Sequence, residues 1–152
     1  MVERSRGPAI AVVLVVLAGA GLFLGFVRKN GGGVNDAHLR QLQQAAARPD
    51  ALPATWMAYA QALEQAAQFP RAAAAYQRVL ETDPYNKTAR LACASCLARA
   101  GATDPFYTFM HSTLLVDPKL TLNILGRPEA ARFLPEARFQ TLRKDAIAGS
   151  MD

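Results

Sequence analysis

The residues whose spacing comes nearest to a chemical device in this chain of 152 are Cys93 and Cys96. A Cys-x-x-Cys pair serves dithiol exchange, metal ligation or haem attachment. Haem attachment requires a histidine next, where this chain has Leu97. A metal requires further donors, and the two histidines, His38 and His111, stand far apart with no paired spacing. Dithiol exchange requires the pair at a helix start behind a strand, whereas here it falls inside an Ala-rich helical pattern. The remaining role is small apolar filler, with a strained disulfide across one helical turn left open for an oxidising compartment. No Ser/His/Asp set, apolar carboxylate pair or phosphate-cradling glycine loop is present, since Gly31-Gly32-Gly33 follows a long apolar run rather than a strand. The sequence therefore reads as non-enzymatic, with no cofactor and no catalytic or metal residues.

The elements around the cysteines have a period. Asp83-Pro84 returns as Asp117-Pro118, 34 residues on, and each pair closes two amphipathic Ala-rich segments of about 13 residues. That period predicts stacked helical hairpins and an all-α fold. Helices are expected at 54–67, 70–82, 87–100 and 105–116. Pro70 and Pro105 suit a first helical turn, Asp104 is placed to cap the helix that Pro105 opens, and Gly101 is placed to end the one before.

Within residues 53–86 stand, in order, Trp56, Ala60, Leu63, Ala72, Tyr76 and Pro84. In that order and spacing they resemble a tetratricopeptide repeat, with Trp56 at that family's large aromatic position, Ala60 at the small position, Leu63 at the next bulky one, Ala72 at the tight crossing, Tyr76 at the second aromatic and Pro84 at the terminating proline. Small residues at 60 and 72 let the two backbones approach, and Trp56 and Tyr76 are expected to fill the space between them. The second copy, 87–120, departs from the pattern: Ala94, Leu97, Gly101 and Pro118 fit, but Arg90 replaces the aromatic, Cys93 the usual Leu, and Phe106 a small residue. The resemblance implies a concave face for a partner's extended segment or helix, made by Ala54, Met57, Gln61 and Glu64 in the first copy and Thr88, Leu91, Ser95 and Arg99 in the second. Members that capture a C-terminal carboxylate use Lys, Arg and Asn there, and this set largely lacks them, so a mostly neutral contact is implied.

Two repeats are few for such a stack, and the flanks are expected to complete it. A helix from Asp36 to about Ala47, with Leu39, Leu42 and Ala46 on one face, reads as a worn half-repeat, because His38, Leu42 and Ala45 precede Ala72, Tyr76 and Val79 by one period. It is placed to cover the exposed side of the first copy; the alternative, in which it also buries Met57 and Leu91, leaves no open groove. After Pro118 the repeat lapses at Gly126 and Pro128, and residues 119–152 read as a helical cap whose two Pro-Glu starts, at Pro128 and Pro135, each deliver a phenylalanine, Phe133 and Phe139.

Ahead of the repeats, a polar tail, 1–7, precedes twenty uncharged residues, 8–27, which as a helix reach about 30 Å, the thickness of a bilayer's hydrocarbon core. This run reads as a transmembrane helix. Cleavage at Ala18-Gly19-Ala20 is the competing reading, but it would leave a chain starting in the apolar Gly21-Leu22-Phe23-Leu24. Gly21 and Gly25 offer a smooth face for helix packing, and 28–35 is a Gly-rich linker. Arg4 and Arg6 before the run and Arg28 and Lys29 after it leave orientation nearly balanced; the expectation is a single-pass protein of a bacterial inner membrane with its C-terminal domain in the periplasm.

The net charge of +5 is unevenly spread. Residues 36–118 carry seven basic and seven acidic side chains, which argues against nucleic acid as a partner despite a pI near 9.6. The basic excess lies at the two ends. In the C-terminal stretch Arg127, Arg132, Arg138, Arg143 and Lys144 are candidates for contact with an acidic protein or anionic lipid. The expected function is a membrane-anchored interaction module, a scaffold or assembly factor for an envelope complex, with protein partners and a bilayer contact through 8–27. The alternative is a permanent accessory subunit of a membrane complex.

Overall fold

The computed structural model describes residues 36–151; the apolar run 8–27, its Gly21 and Gly25, and the 28–35 linker lie outside the described residues. Among the described residues seven α-helices and one 3-10 helix follow one another, and no strand occurs. They are α1 Asp36–Ala46, α2 Pro53–Gln65, α3 Phe69–Thr82, α4 Lys87–Ala100, α5 Thr103–Val116, α6 Pro118–Leu125, the 3-10 helix Pro128–Phe133, and α7 Ala137–Gly149. No helix among the described residues is long and apolar enough to cross a membrane.

The period read from the Asp-Pro pairs sets the helix starts. α2 and α4 begin 34 residues apart, at Pro53 and Lys87, and so do α3, α5 and α7, at Phe69, Thr103 and Ala137. The buried faces of α3 and α5 obey the same spacing: Ala72, Ala73, Ala75, Tyr76 and Val79 recur as Phe106, Tyr107, Phe109, Met110 and Thr113. The tight α2–α3 hairpin follows from Ala60 and Ala72, both fully buried, which bring the two backbones together while Tyr76 packs into the space beside them. Trp56 packs against this core but is only half-buried, with its ring edge-on to Tyr59 at 6.2 Å. Within α1 the buried residues are Leu39 and Ala46, with Leu42 half-buried as expected; His38, the counterpart of Ala72, is exposed.

The second hairpin is built differently, and its departures from the repeat explain how. Phe106 occupies the crossing position held by Ala72 in the first pair, and a ring there keeps α4 and α5 from closing as tightly. The gap is filled from the C-terminal segment: Phe133 of the 3-10 helix stacks on Phe106 with ring centroids 4.4 Å apart. Arg90, where the first copy has Trp56, is buried and donates to the Pro84 carbonyl at 2.6 Å and the Thr113 hydroxyl at 3.3 Å, with its guanidinium 5.8 Å from the Phe109 ring. Gly101 ends α4 in the left-handed region (φ 69°), as the sequence predicts. Asp104 does not cap α5. Ala102 occupies the cap position without a side-chain bond, and Asp104 sits in the first turn, where its carboxylate is held by Arg138 at 2.8 Å.

The repeat lapses for less of the chain than expected. Asp117 not only ends α5 but caps α6, accepting from the Leu120 amide at 2.9 Å, and Pro118 opens that helix. α6 thus starts three residues ahead of the period and stops at Gly126. The 3-10 helix replaces the rest of a third first-helix, and α7 then resumes the register. Its buried residues, Phe139, Leu142 and Ala146, lie one position earlier than the repeat would place them, so the helix is rotated to present its apolar side. Phe133 and Phe139 both reach the core, as the two Pro-Glu starts imply.

Candidate functional site

The face implied for partner binding comes from the first helices of the pairs, α2 and α4, and the structure divides its residues into three groups. Ala54, Gln61 and Thr88 are exposed, and Met57 and Leu91 are half-buried. Ser95 is not available: it is 8% exposed, because α4 is surrounded by α3, α5, α6 and the 3-10 helix and buries nearly its whole circumference. Glu64 and Arg99 are committed to each other. The Arg99 guanidinium donates to Glu64 Oε1 at 3.2 Å and lies 4.1 Å from the Phe69 ring centroid, while the Tyr76 hydroxyl donates to Glu64 Oε2 at 3.1 Å. Burial, then the Glu64 charge, raises the Tyr76 hydroxyl pKa. These contacts tie the first hairpin to the second, so Glu64 and Arg99 set the shape of the face rather than offering themselves to a ligand.

What remains open is a groove of about 370 Å³ in which Thr88 and Leu91 meet Lys119, Leu120 and Asn123 of α6. Lys87 and Asp117 stand at its edge as an ion pair at 2.8 Å, and that lysine, with the Leu120 amide behind it, holds the Asp117 carboxyl below the usual range. Leu91 is turned towards α6 rather than covered by α1, which packs on α2. The α6 residues were missed by sequence reasoning because Asp117-Pro118 looked like a terminator; the same two residues are also a strong helix start.

The five basic residues of the C-terminal stretch separate in the same way. Arg132 donates to the Ala98 carbonyl at 3.1 Å, at the electron-rich end of α4. Arg138 bonds Asp104 at 2.8 Å and Glu136 at 3.4 Å with its guanidinium 4.5 Å from the Tyr107 ring centroid. Burial first, and the Glu136 carboxylate second, push the Tyr107 hydroxyl up to about 12. These two arginines hold α4 and α5 to the C-terminal segment. The side chains of Arg127, Arg143 and Lys144 keep no hydrogen-bond or ion-pair partner among the described residues, and Arg143 and Lys144 are exposed.

Cys93 and Cys96 are both fully buried free thiols in the middle of α4. Cys93 donates to the Ala73 carbonyl at 3.6 Å, which places it as filler in the α3–α4 contact. Burial pushes each thiol up to about 12, so both are protonated at neutral pH and neither is a nucleophile there. No group of three or more His, Cys, Asp and Glu able to hold a metal occurs among the described residues, and His38 and His111 are exposed on different helices.

A family model described as tetratricopeptide repeat matches residues 53–104, which runs from the start of α2 through α4 into the first turn of α5. No curated protein and no solved structure matches the chain.

Proposed function

We propose that residues 53–104, which match a tetratricopeptide-repeat family model, serve as a protein-interaction unit that holds a partner segment in the groove between α4 and α6. The observation that carries this reading is the convergence of Thr88 and Leu91 with Leu120 and Asn123 along one open groove, while Ser95, Glu64 and Arg99 are closed off or paired. A half-apolar floor with an amide at one side, a neutralised Lys87–Asp117 pair at the edge and the exposed Lys119 at the rim suits a largely apolar extended segment or helix edge that carries a single carboxylate opposite Lys119. The protein acts as a membrane-anchored scaffold or assembly factor for an envelope complex, single-pass in a bacterial inner membrane with the repeats in the periplasm. The uncharged run 8–27, bounded by Arg4 and Arg6 on one side and Arg28 and Lys29 on the other, supports the anchor.

The test is affinity purification of the tagged full-length chain from detergent-solubilised membranes beside a Thr88→Arg/Asn123→Arg variant. Both positions are exposed, so the variant keeps its fold. Substoichiometric protein partners that disappear in the variant are expected. Identical partners in both samples would overturn the groove assignment, and recovery of the chain in the soluble fraction would overturn the anchor.

A further inference from the structure

The geometry points to a second docking surface at the C-terminal end of the stack, and its occupant is a partner protein's amphipathic helix flanked by carboxylates. The surface is a groove of about 520 Å³ between α6, the 3-10 helix and α7, a volume in the range that accepts several side chains. Leu122, Leu125 and Phe139 line it, and Leu134 and Ile147, 45% and 43% exposed, stand at its mouth. In a stack of hairpins each pair is covered by the next, and α7 keeps the helical register without any described helix on this side of it. Helix against helix is therefore the packing this surface is shaped for.

The charge of the occupant follows from which arginines the fold has used. Arg132 and Arg138 are spent on Ala98, Asp104 and Glu136. The charged residues lining the groove are Arg127 and Arg143, both unpaired, with no carboxylate among the lining and Lys144 exposed next to Arg143 on α7. An apolar floor under two unpaired guanidinium groups matches a helix with leucines on one face and Glu or Asp on its borders. A flat anionic bilayer fits less well, because the leucines of the floor are recessed rather than protruding. A second copy of this chain would bring the same arginines against each other.

The probe is a fluorescein-labelled synthetic peptide about five helical turns long, with Leu at one-face spacing and Glu on both flanks, compared with the same peptide carrying Lys. It is titrated into the detergent-solubilised full-length chain and followed by anisotropy. The Glu peptide is expected to bind and the Lys peptide not. Arg127→Glu/Arg143→Glu should weaken the Glu peptide about tenfold and transfer the preference to the Lys peptide, without moving the melting temperature. Thr88→Arg/Asn123→Arg should leave binding unchanged, which separates this surface from the α4–α6 groove. Equal binding of the two peptides, no binding of either, or loss of binding in the Thr88/Asn123 variant would each overturn the proposal. So would a sedimentation dimer abolished by Ile147→Glu, or protection of residues 134–147 from hydrogen exchange in phosphatidylglycerol nanodiscs but not phosphatidylcholine ones, which would assign the groove to a second copy or to lipid.

Discussion

Ala67 and Gly101 stand one repeat period apart, at the same turn in successive hairpins, and both adopt left-handed backbone, with φ of 56° and 69°. The turn demands this conformation: the amides of Gln68 and Ala102 fold back to the carbonyls of Leu63 and Leu97, at 2.9 and 3.1 Å, closing the ends of α2 and α4. A side chain there costs about 1–2 kcal/mol. Replacing Ala67 by glycine removes that cost and adds about 0.5–1 kcal/mol of unfolded-state entropy, for a net gain of about 0.5–1 kcal/mol. At roughly 4 °C per kcal/mol for a domain of this size, Ala67→Gly raises Tm by about 2–4 °C. Gly101→Ala does the reverse and more. Its new Cβ would stand 3.1 Å from both Nη1 and Nη2 of Arg132, so the guanidinium must shift and its bond to the Ala98 carbonyl weakens. Adding about 0.5–1.5 kcal/mol for that bond gives a loss of about 1–2.5 kcal/mol and a Tm lower by about 4–10 °C. Thermal melts of the full-length chain at 222 nm measure both. A Gly101→Ala/Arg132→Ala double variant then separates the backbone cost, which persists, from the contact cost, which does not recur. If Ala67→Gly lowers Tm, the equivalence of the two turns is wrong and so is the register built on it.

Trp56→Ala should cost only about 1–2 kcal/mol, because the ring is half-buried, whereas Tyr76→Ala should cost about 3–5 kcal/mol. Denaturant titration ranks them, and partial quenching of Trp56 fluorescence by acrylamide checks the exposure. The thiols of Cys93 and Cys96 should resist Ellman's reagent at pH 8 in the folded protein and react on unfolding. Their folded pKa, about 12, lies above the ordinary 9, so the stability they contribute is complete below pH 9 and is lost as pH rises towards 12. Chemical denaturation across pH 8–11 should show this decline, and Cys93→Ala/Cys96→Ala should flatten it; a decline of the same slope in the variant would assign it to Tyr76 and Tyr107 instead.

The sequence by itself determined the period, the all-helical class, the turn at Gly101 and the inward positions of Ala72 and Tyr76 in α3. These are local properties repeated at a fixed spacing: small residues where backbones cross, prolines where helices open, apolar residues on one side. It also showed that Phe106 and Arg90 break the pattern, without showing what the breaks accomplish. Only the tertiary structure decided that Phe106 holds α4 and α5 apart for Phe133 to enter, that Ser95 is enclosed, and that Arg99, Arg132 and Arg138 are consumed while the Arg127 and Arg143 side chains have no partner among the described residues. A charged or small side chain has no fixed role along the chain. Whether it is exposed or paired depends on which group a neighbouring repeat, some 34 residues away in sequence, places opposite it, and helical periodicity carries no information about that opposition.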